Sequence, residues 1–302
     1  MRRAPPLTDL TLIEGQIMKF MRFAKEGRVG LAASARGEEF YGFFLADIPE
    51  FGDLSNALLA GEEAVASLGA RLLQGEPVDF ATCEQLPPLS SPGKIVCIGL
   101  NYRDHTSEAG LVQPDYPTIF SRFSSSLIGH RQPIVRPKVS QKLDYEGEVV
   151  IVIGKGGRAI PKASALTHVF GYSLFNDATL RDYQMRTPQW TMGKNFDGTG
   201  SFGPYIVTAD ELREGVKGLK LQTLLNGQVV QEGNTNDMVF DVATLIETVS
   251  EVMTLAPGDL IVSGTPSGIG MARTPPLWMK PGDTCVVTSE GLGSLVNPIV
   301  DE

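Results

Sequence analysis

Two glutamates at alternate positions, Glu146 and Glu148, stand where the chain enters the apolar run Val149-Val150-Ile151-Val152-Ile153. Side chains two apart on a strand point the same way, so this spacing aims both carboxylates to one side. A run this apolar predicts a strand buried on both faces, which carries the pair to the edge of a core where unpaired negative charge is costly. A cation should compensate them. Hard oxygen donors crowded on one side suit Mg²⁺, Mn²⁺ or Ca²⁺ better than a softer ion. Solvated glutamates at a strand end are the plainer alternative, and the pair taken alone would favour it.

Further residues shift that balance. Asp177, after a strand-like run, supplies a third carboxylate, and Arg181 and Gln184 follow as donors able to grip a carboxylate or a carbonyl. Lys194 stands alone among aromatic and small residues in Trp190-Thr191-Met192-Gly193-Lys194-Asn195-Phe196-Asp197. It is either an electrophilic helper or a counter-charge, and the residues leave both open. Of the three histidines, His105 has Glu108 three positions on. If that segment is helical the two share a face, and Glu108 can orient the imidazole and raise its basicity until it deprotonates a water. An ordinary surface ion pair is the commoner arrangement for two such residues. His168 begins a strand-like run and is given no role.

Two glycine-rich stretches carry less than their spelling suggests. Gly198-Thr199-Gly200-Ser201-Phe202-Gly203 matches a dinucleotide fingerprint, yet Pro204 and a strand-like run follow where a helix must open. Gly264-Thr265-Pro266-Ser267-Gly268-Ile269-Gly270 lacks the Gly-Lys-Ser/Thr ending of a mononucleotide loop. Its glycines suit a close approach of backbone to a ligand or another loop.

The chain has 302 residues, enough for one large domain or two unequal ones. A net charge of −9 repels phosphates, which argues against nucleic acid and anionic membrane and leaves a small molecule as the expected partner. Cys83, Cys97 and Cys285 are odd in number and far apart, so no disulfide framework is indicated and a cytoplasmic setting is expected. The first residues start basic but continue into Asp9 and Glu14 without the apolar core of a signal peptide. No segment is long and apolar enough to span a bilayer.

A small unit is expected at 1–85, with strands at Arg28 to Ser34 and Glu39 to Ala46 and a helix whose Val65, Leu68, Leu72 and Leu73 share a face. Residues 86–93, rich in proline and serine, form the linker to a body at 94–302. There, strand-like runs at Ile95 to Ile98, Val149 to Ile153, Leu219 to Leu225, Leu260 to Val262 and Thr284 to Thr288 lack regular alternation with helices. That predicts a mainly β body with some α. The best helix is Val242 to Met253, capped by Asp241.

In order along the chain stand Gly99-Leu100-Asn101-Tyr102 with His105 and Glu108, Asp144-Tyr145-Glu146-Gly147-Glu148, Asn176-Asp177 with Arg181-Asp182 and Gln184, and Lys194. Gln231-Glu232-Gly233-Asn234-Thr235, Leu255-Ala256-Pro257-Gly258-Asp259-Leu260, Gly264-Thr265-Pro266 and Lys280-Pro281-Gly282-Asp283 follow. This series resembles the fumarylacetoacetate hydrolase family, and acylpyruvate-cleaving bacterial members in particular, over essentially everything after the linker. The resemblance implies a mixed β-sandwich roll behind a small α+β N-terminal domain, residues 1–17 being an extension, and a homodimer. It implies that Glu146, Glu148 and Asp177 bind Mg²⁺ or Mn²⁺, with Ca²⁺ also compatible. His105 and Glu108 would form a water-activating dyad on a segment able to close as a lid. Lys194 would be catalytic, with Tyr102, Arg181, Gln184 and Thr265 around the substrate. Two residues depart from the family pattern: Arg122 where relatives often carry lysine, and Leu180 in place of alanine. Both are expected to bear on substrate choice.

The reaction so implied is hydrolysis of a C–C bond in a 2,4-diketo acid of the acylpyruvate type, giving pyruvate and a carboxylic acid. The alternative on the same site is an oxaloacetate-type decarboxylase or an isomerase of unsaturated oxo-diacids. A silent metal-binding scaffold fits less well, because it needs none of His105, Glu108 and Lys194.

Overall fold

Every residue of the strand Gly147–Ile153 is buried, and its side chains divide between two cores. Val149, Ile151 and Ile153 enter one that also holds Leu221, Val287 and the inner face of the helix Val242–Val252. Val150 and Val152 enter the other, with Leu54, Leu58, Leu68 and Leu72 from the helices Leu54–Ala60 and Glu62–Leu72. The period of two thus builds a layer on each side of one sheet. The computed structural model of the chain describes residues 18–35, 37, 39–108 and 115–302, the side chains of 105–107 excepted.

The large sheet runs Glu76–Pro77, Tyr41–Phe44, Arg28–Ala35, Met18–Lys25, Gly200–Thr208, Val169–Asp177, Gly147–Ile153, Leu260–Val262, Ile95–Gly99, Thr118–Arg122. Neighbours along this path are antiparallel except Leu260–Val262 with Ile95–Gly99, and off it Leu127–Ile128 also pairs parallel with Gly200–Thr208, so the sheet is mixed. A five-stranded sheet, Gln228–Asn234, Lys220–Leu225, Thr284–Ser289, Gly293–Asp301, Ile134–Arg136, packs on one face. Gly147 permits that approach, since a Cβ there would lie 2.2 Å from Thr223 Oγ1. The fold is mainly β with some α, as expected.

Local outcomes follow identifiable causes. The strand expected at Glu39 to Ala46 is only Tyr41–Phe44, because the chain turns into a 3-10 segment at Leu45–Asp47. Leu54–Ala60 is an additional helix, started by a capping box between Asp53 and Asn56. Asp241 caps Val242–Val252 by accepting from Thr244 N at 2.9 Å. The Gly198–Gly203 stretch leads into the strand Gly200–Thr208 and opens no helix. Phe20 pairs with Ile206, so the N-terminal strands and the body share one sheet. No helix among the described residues is long and apolar enough to cross a membrane.

Candidate active site

Register brings the three acidic residues together. Gly147 pairs with Asn176 and Glu148 with Phe175, which sets Asp177 level with Glu146. The Asp177 N–H donates to Glu146 O at 2.9 Å, and Asn176 Oδ1 accepts from Glu146 N at 3.0 Å. Carboxylate oxygens of Glu146, Glu148 and Asp177 lie within 4.8 Å of one another, all in buried side chains.

Cations close around them. Arg181 places Nη1 2.7 Å from Glu146 Oε1 and Nε 2.8 Å from Asp144 Oδ2, and Gln184 Oε1 accepts from Nη1 at 2.9 Å. Lys194 Nζ contacts Glu146 Oε2 and lies 2.6 Å from Asp177 Oδ2. Arg122 Nε is 3.0 Å from Asp177 Oδ1 but gives its hydrogen bond to Lys194 O, at 2.6 Å. Four buried carboxylates, Asp144 included, therefore face three buried cations. Burial, then Asp177 and Glu146, push the Glu148 pKa well up. Burial alone would lower Lys194, yet Asp177 and Glu146 outweigh it and raise its pKa, so it stays an ammonium.

The donor set fits a hard divalent ion. Three carboxylate oxygens converge, Asp177 Oδ1 has no hydrogen bond, and Glu148 has no ion-pair partner among the described residues. Glu146, Glu148 and Asp177 would hold the ion.

A cleft of about 110 Å³ opens on this cluster, lined on its polar side by Glu146, Glu148, Arg181, Gln184, Lys194 and Thr265. Thr265 is committed to its surroundings: its hydroxyl donates to Gly147 O at 2.9 Å and accepts from Gln231 Nε2 at 2.9 Å. Tyr102 is buried and lines a groove with Glu232, Met238 and Pro266 beside the cleft, and Glu148 is near enough to add to burial in raising its pKa. Arg103–Glu108 is helical, as the His105–Glu108 spacing required. Glu108 is exposed and its Oε2 accepts from Gly268 N at 2.9 Å, which ties it to the 264–270 loop but not to the cleft lining. The side chain of His105 lies outside the described residues.

Neither Arg122 nor Leu180 lines the cleft. Arg122 lies beneath the carboxylates, and Leu180 packs in a core with Tyr145 and Met279. Sequence reasoning gave no role to Asp144, whose Oδ1 also accepts from Gly270 N at 2.7 Å. Its signal was present, since Asp144, Glu146 and Glu148 continue one alternation. Phe120 and Trp190, on the apolar side of the cleft, had no such signal.

Residues 94–300 match the family model described as fumarylacetoacetate (FAA) hydrolase C-terminal. The chain belongs to the fumarylacetoacetate hydrolase family. A human relative named oxaloacetate tautomerase FAHD2A, mitochondrial, is 43% identical over 242 residues, which span 79% of this chain and 77% of that one. The fumarylacetoacetate hydrolase of Exiguobacterium antarcticum superposes with a TM-score of 0.82 at 34% identity, covering 94% of this chain and all of the other. A 5-carboxymethyl-2-hydroxymuconate delta-isomerase from Mycobacterium smegmatis gives a TM-score of 0.73 at 31% identity, covering 94% of this chain and 99% of the other. The chain is thus an enzyme of the fumarylacetoacetate hydrolase superfamily, whose members named here tautomerise, isomerise or hydrolyse.

Proposed function

We propose that the protein moves a proton at C3 of a 2-oxo acid, interconverting its keto and enol forms, with a divalent metal held by Glu146, Glu148 and Asp177. Lys194 carries this reading: its buried ammonium touches two of those carboxylates and lines the same cleft. A positive group fixed there stabilises the oxygen that gains charge as C3 loses its proton, with no reorganisation at the moment of reaction. Arg181 is held by Asp144, Glu146 and Gln184, and its buried Nη2 has no hydrogen-bond partner. That nitrogen suits the substrate carboxylate. Bound by the three carboxylates, a hard divalent ion would supply Lewis acidity at the 2-oxo group.

In this reading His105, on the helix Arg103–Glu108, takes the C3 proton. The C3–H electron pair becomes the C2=C3 bond, the carbonyl pair moves to oxygen, and the proton ends there. No atom is gained or lost. The human relative's name, oxaloacetate tautomerase, supports the same chemistry.

Hydrolysis of an acylpyruvate-type 2,4-diketo acid is the second reading. A carboxylate three residues after His105 on a helix favours it, because activating water needs such a pair. Against it, Glu108 is engaged with Gly268 N–H outside the cleft lining.

Following the disappearance of enol-oxaloacetate with Mg²⁺ or Mn²⁺ present tests the choice. The protein should exceed the rate of the metal-containing buffer, chelator should remove the excess, and Lys194→Met should lower it by about 10²–10³-fold. Ketonisation at only the buffer rate, with ¹⁸O from water entering the acid released from acylpyruvates, would overturn the reading in favour of hydrolysis.

A further inference from the structure

Besides its charged groups, the cleft is lined by an apolar wall of Leu100, Phe120, Met185, Trp190, Ile269 and Met271. Several features show that this wall is built in advance of any ligand. Trp190 lies against Gly99 so closely that a Cβ there would be 2.3 Å from indole Cζ3, and only glycine leaves room for the ring. The indole meets Phe120 edge-on, with centroids 5.4 Å apart at 65°. Phe120 in turn lies under Lys194, whose Nζ is 5.0 Å from the ring centroid. Leu100 has a φ of 59°, a left-handed conformation unusual for a bulky side chain, where glycine or asparagine would sit more easily. Strain of this kind concentrates at functional sites. Here it holds an isobutyl group on the wall.

The charges of the cleft point the same way. Among its described lining residues the ionisable groups are Glu146, Glu148, Arg181 and Lys194. Lys194 is bound to Glu146 and Asp177, and Arg181 to Asp144, Glu146 and Gln184. One guanidinium nitrogen, Arg181 Nη2, is left without a hydrogen-bond partner. It provides for a single carboxylate. A second carboxylate on C3 would lose its water against leucine, methionine and indole, and would gain no cation among the described lining residues in exchange.

We infer that the site takes a 2-oxo acid with one carboxylate and an apolar aryl or alkyl substituent on C3, selected by the Leu100–Phe120–Trp190 wall. This rests on the keto–enol reading above and names its substrate class. The carboxylate end sits at Arg181 and the substituent lies along the wall, which leaves C2 and C3 beside Lys194. A pocket of this kind discriminates through apolar contact and through the desolvation of a misplaced charge.

Phenylpyruvate and oxaloacetate serve as probes, with the Mg²⁺-loaded full chain. Isothermal titration at low temperature should show phenylpyruvate binding tighter by about tenfold or more, the range that a filled apolar pocket supplies. Trp190→Ala should remove that preference by weakening phenylpyruvate alone, and Met271→Lys, which adds a cation to the wall, should shift it toward oxaloacetate. Equal or tighter binding of oxaloacetate by the unaltered protein would overturn the inference, as would a Trp190→Ala variant that weakens both ligands alike. Titration reads the preference without turnover. If phenylpyruvate binds preferentially but neither enol is converted above the buffer rate, the substrate class stands and the keto–enol reading falls. If both enols are converted and oxaloacetate binds more tightly, the reverse holds.

Discussion

The two ends of the cleft differ in how the chain carries them. Glu146, Glu148 and Asp177 belong to adjacent strands or their immediate ends, deep in the large sheet. Leu100 follows the strand Ile95–Gly99, Phe120 lies on the sheet's terminal strand, and Trp190 lies between the short helices Arg181–Gln184 and Thr191–Lys194. Ladder hydrogen bonds fix the first group, so its geometry is as rigid as the sheet. In the second group only Phe120 is held by a ladder, at the sheet's end; Leu100 and Trp190 depend on connecting segments, which can change residue type without disturbing that register. Relatives named as a tautomerase, a hydrolase and an isomerase share the architecture, which is what a constant charged end and a variable apolar end would allow.

Removing the support beneath the charged end should have the largest effect. Arg122 is fully buried and reaches Asp177 at 3.0 Å, Lys194 O at 2.6 Å, Ala178 O at 3.0 Å and Thr199 Oγ1 at 3.0 Å. Arg122→Met leaves Asp177 without that cation and should lower stability by about 3–5 kcal/mol. Metal affinity should fall by about 10–100-fold, and Arg122→Lys should restore part of both. Urea unfolding and metal titration check this. A stable Arg122→Met protein with unchanged metal affinity would show that the two ends do not differ in rigidity as described.

Glu148→Gln isolates the chemistry of the same end. The amide keeps the shape and can still accept from Gly264 N, now 2.5 Å from Glu148 Oε2, so the fold should persist. Metal affinity should drop by about 100-fold or more, beyond what losing a supporting residue does, and turnover should fall to background. Retained metal affinity with lost turnover would move Glu148 from ligand to proton carrier.

What the sequence revealed follows the same division. The alternation of Glu146 and Glu148 with the run to Ile153 is local, and it forecast both the strand and the common direction of the carboxylates. The helix Val242–Val252 was legible for the same reason, its apolar period being contained in one segment. Arg122 was not, because its partners Lys194 and Thr199 lie 72 and 77 residues away and no period links them. Nor was Met18–Lys25 read as a strand: its buried residues 18, 20, 21 and 23 do not alternate. The reason is a change of neighbours along it, since Phe20 pairs with Ile206 while Phe23 pairs with Gln85. Trp190 and Leu100 are placed by loops, and loops carry no period.

Acidity should sharpen the contrast further. In the metal-free protein Glu148 has its pKa raised, mainly by burial and then by Asp177 and Glu146. A carboxyl that binds its proton more tightly folded than unfolded loses stability as pH rises from its ordinary value through the raised one. Metal binding requires the ionised form, so protons compete with metal at the acid side. The rise in melting temperature caused by saturating Mn²⁺ should therefore grow with pH across that window, and the growth should flatten in Glu148→Gln. A metal-induced shift independent of pH in the unaltered protein would contradict the charged end as described.

The smallest effect is expected where the two ends meet. Asn195 follows Lys194, yet its amide serves the strand that carries Phe120: Oδ1 accepts from Phe123 N at 2.7 Å and Nδ2 donates to Ser121 O at 3.1 Å. Nδ2 also donates to Thr191 O at 2.9 Å, fixing the short helix that ends at Lys194. The amide thereby occupies part of an edge that would otherwise present unpaired backbone groups, since Thr118–Arg122 ends the sheet. Because water replaces these bonds at a partly exposed site, Asn195→Ala should lower stability by only about 1 kcal/mol. The functional consequence should be one-sided. Phe120 loses an anchor, so binding of a 2-oxo acid with an apolar substituent should weaken by a few-fold, roughly the worth of one modest contact. Glu146, Glu148 and Asp177 keep their strand register, so metal affinity should stay as it was. If metal affinity fell together with substrate binding in Asn195→Ala, the two ends would be one mechanical unit, and the contrast between a rigid charged end and an adjustable apolar one would have to be given up.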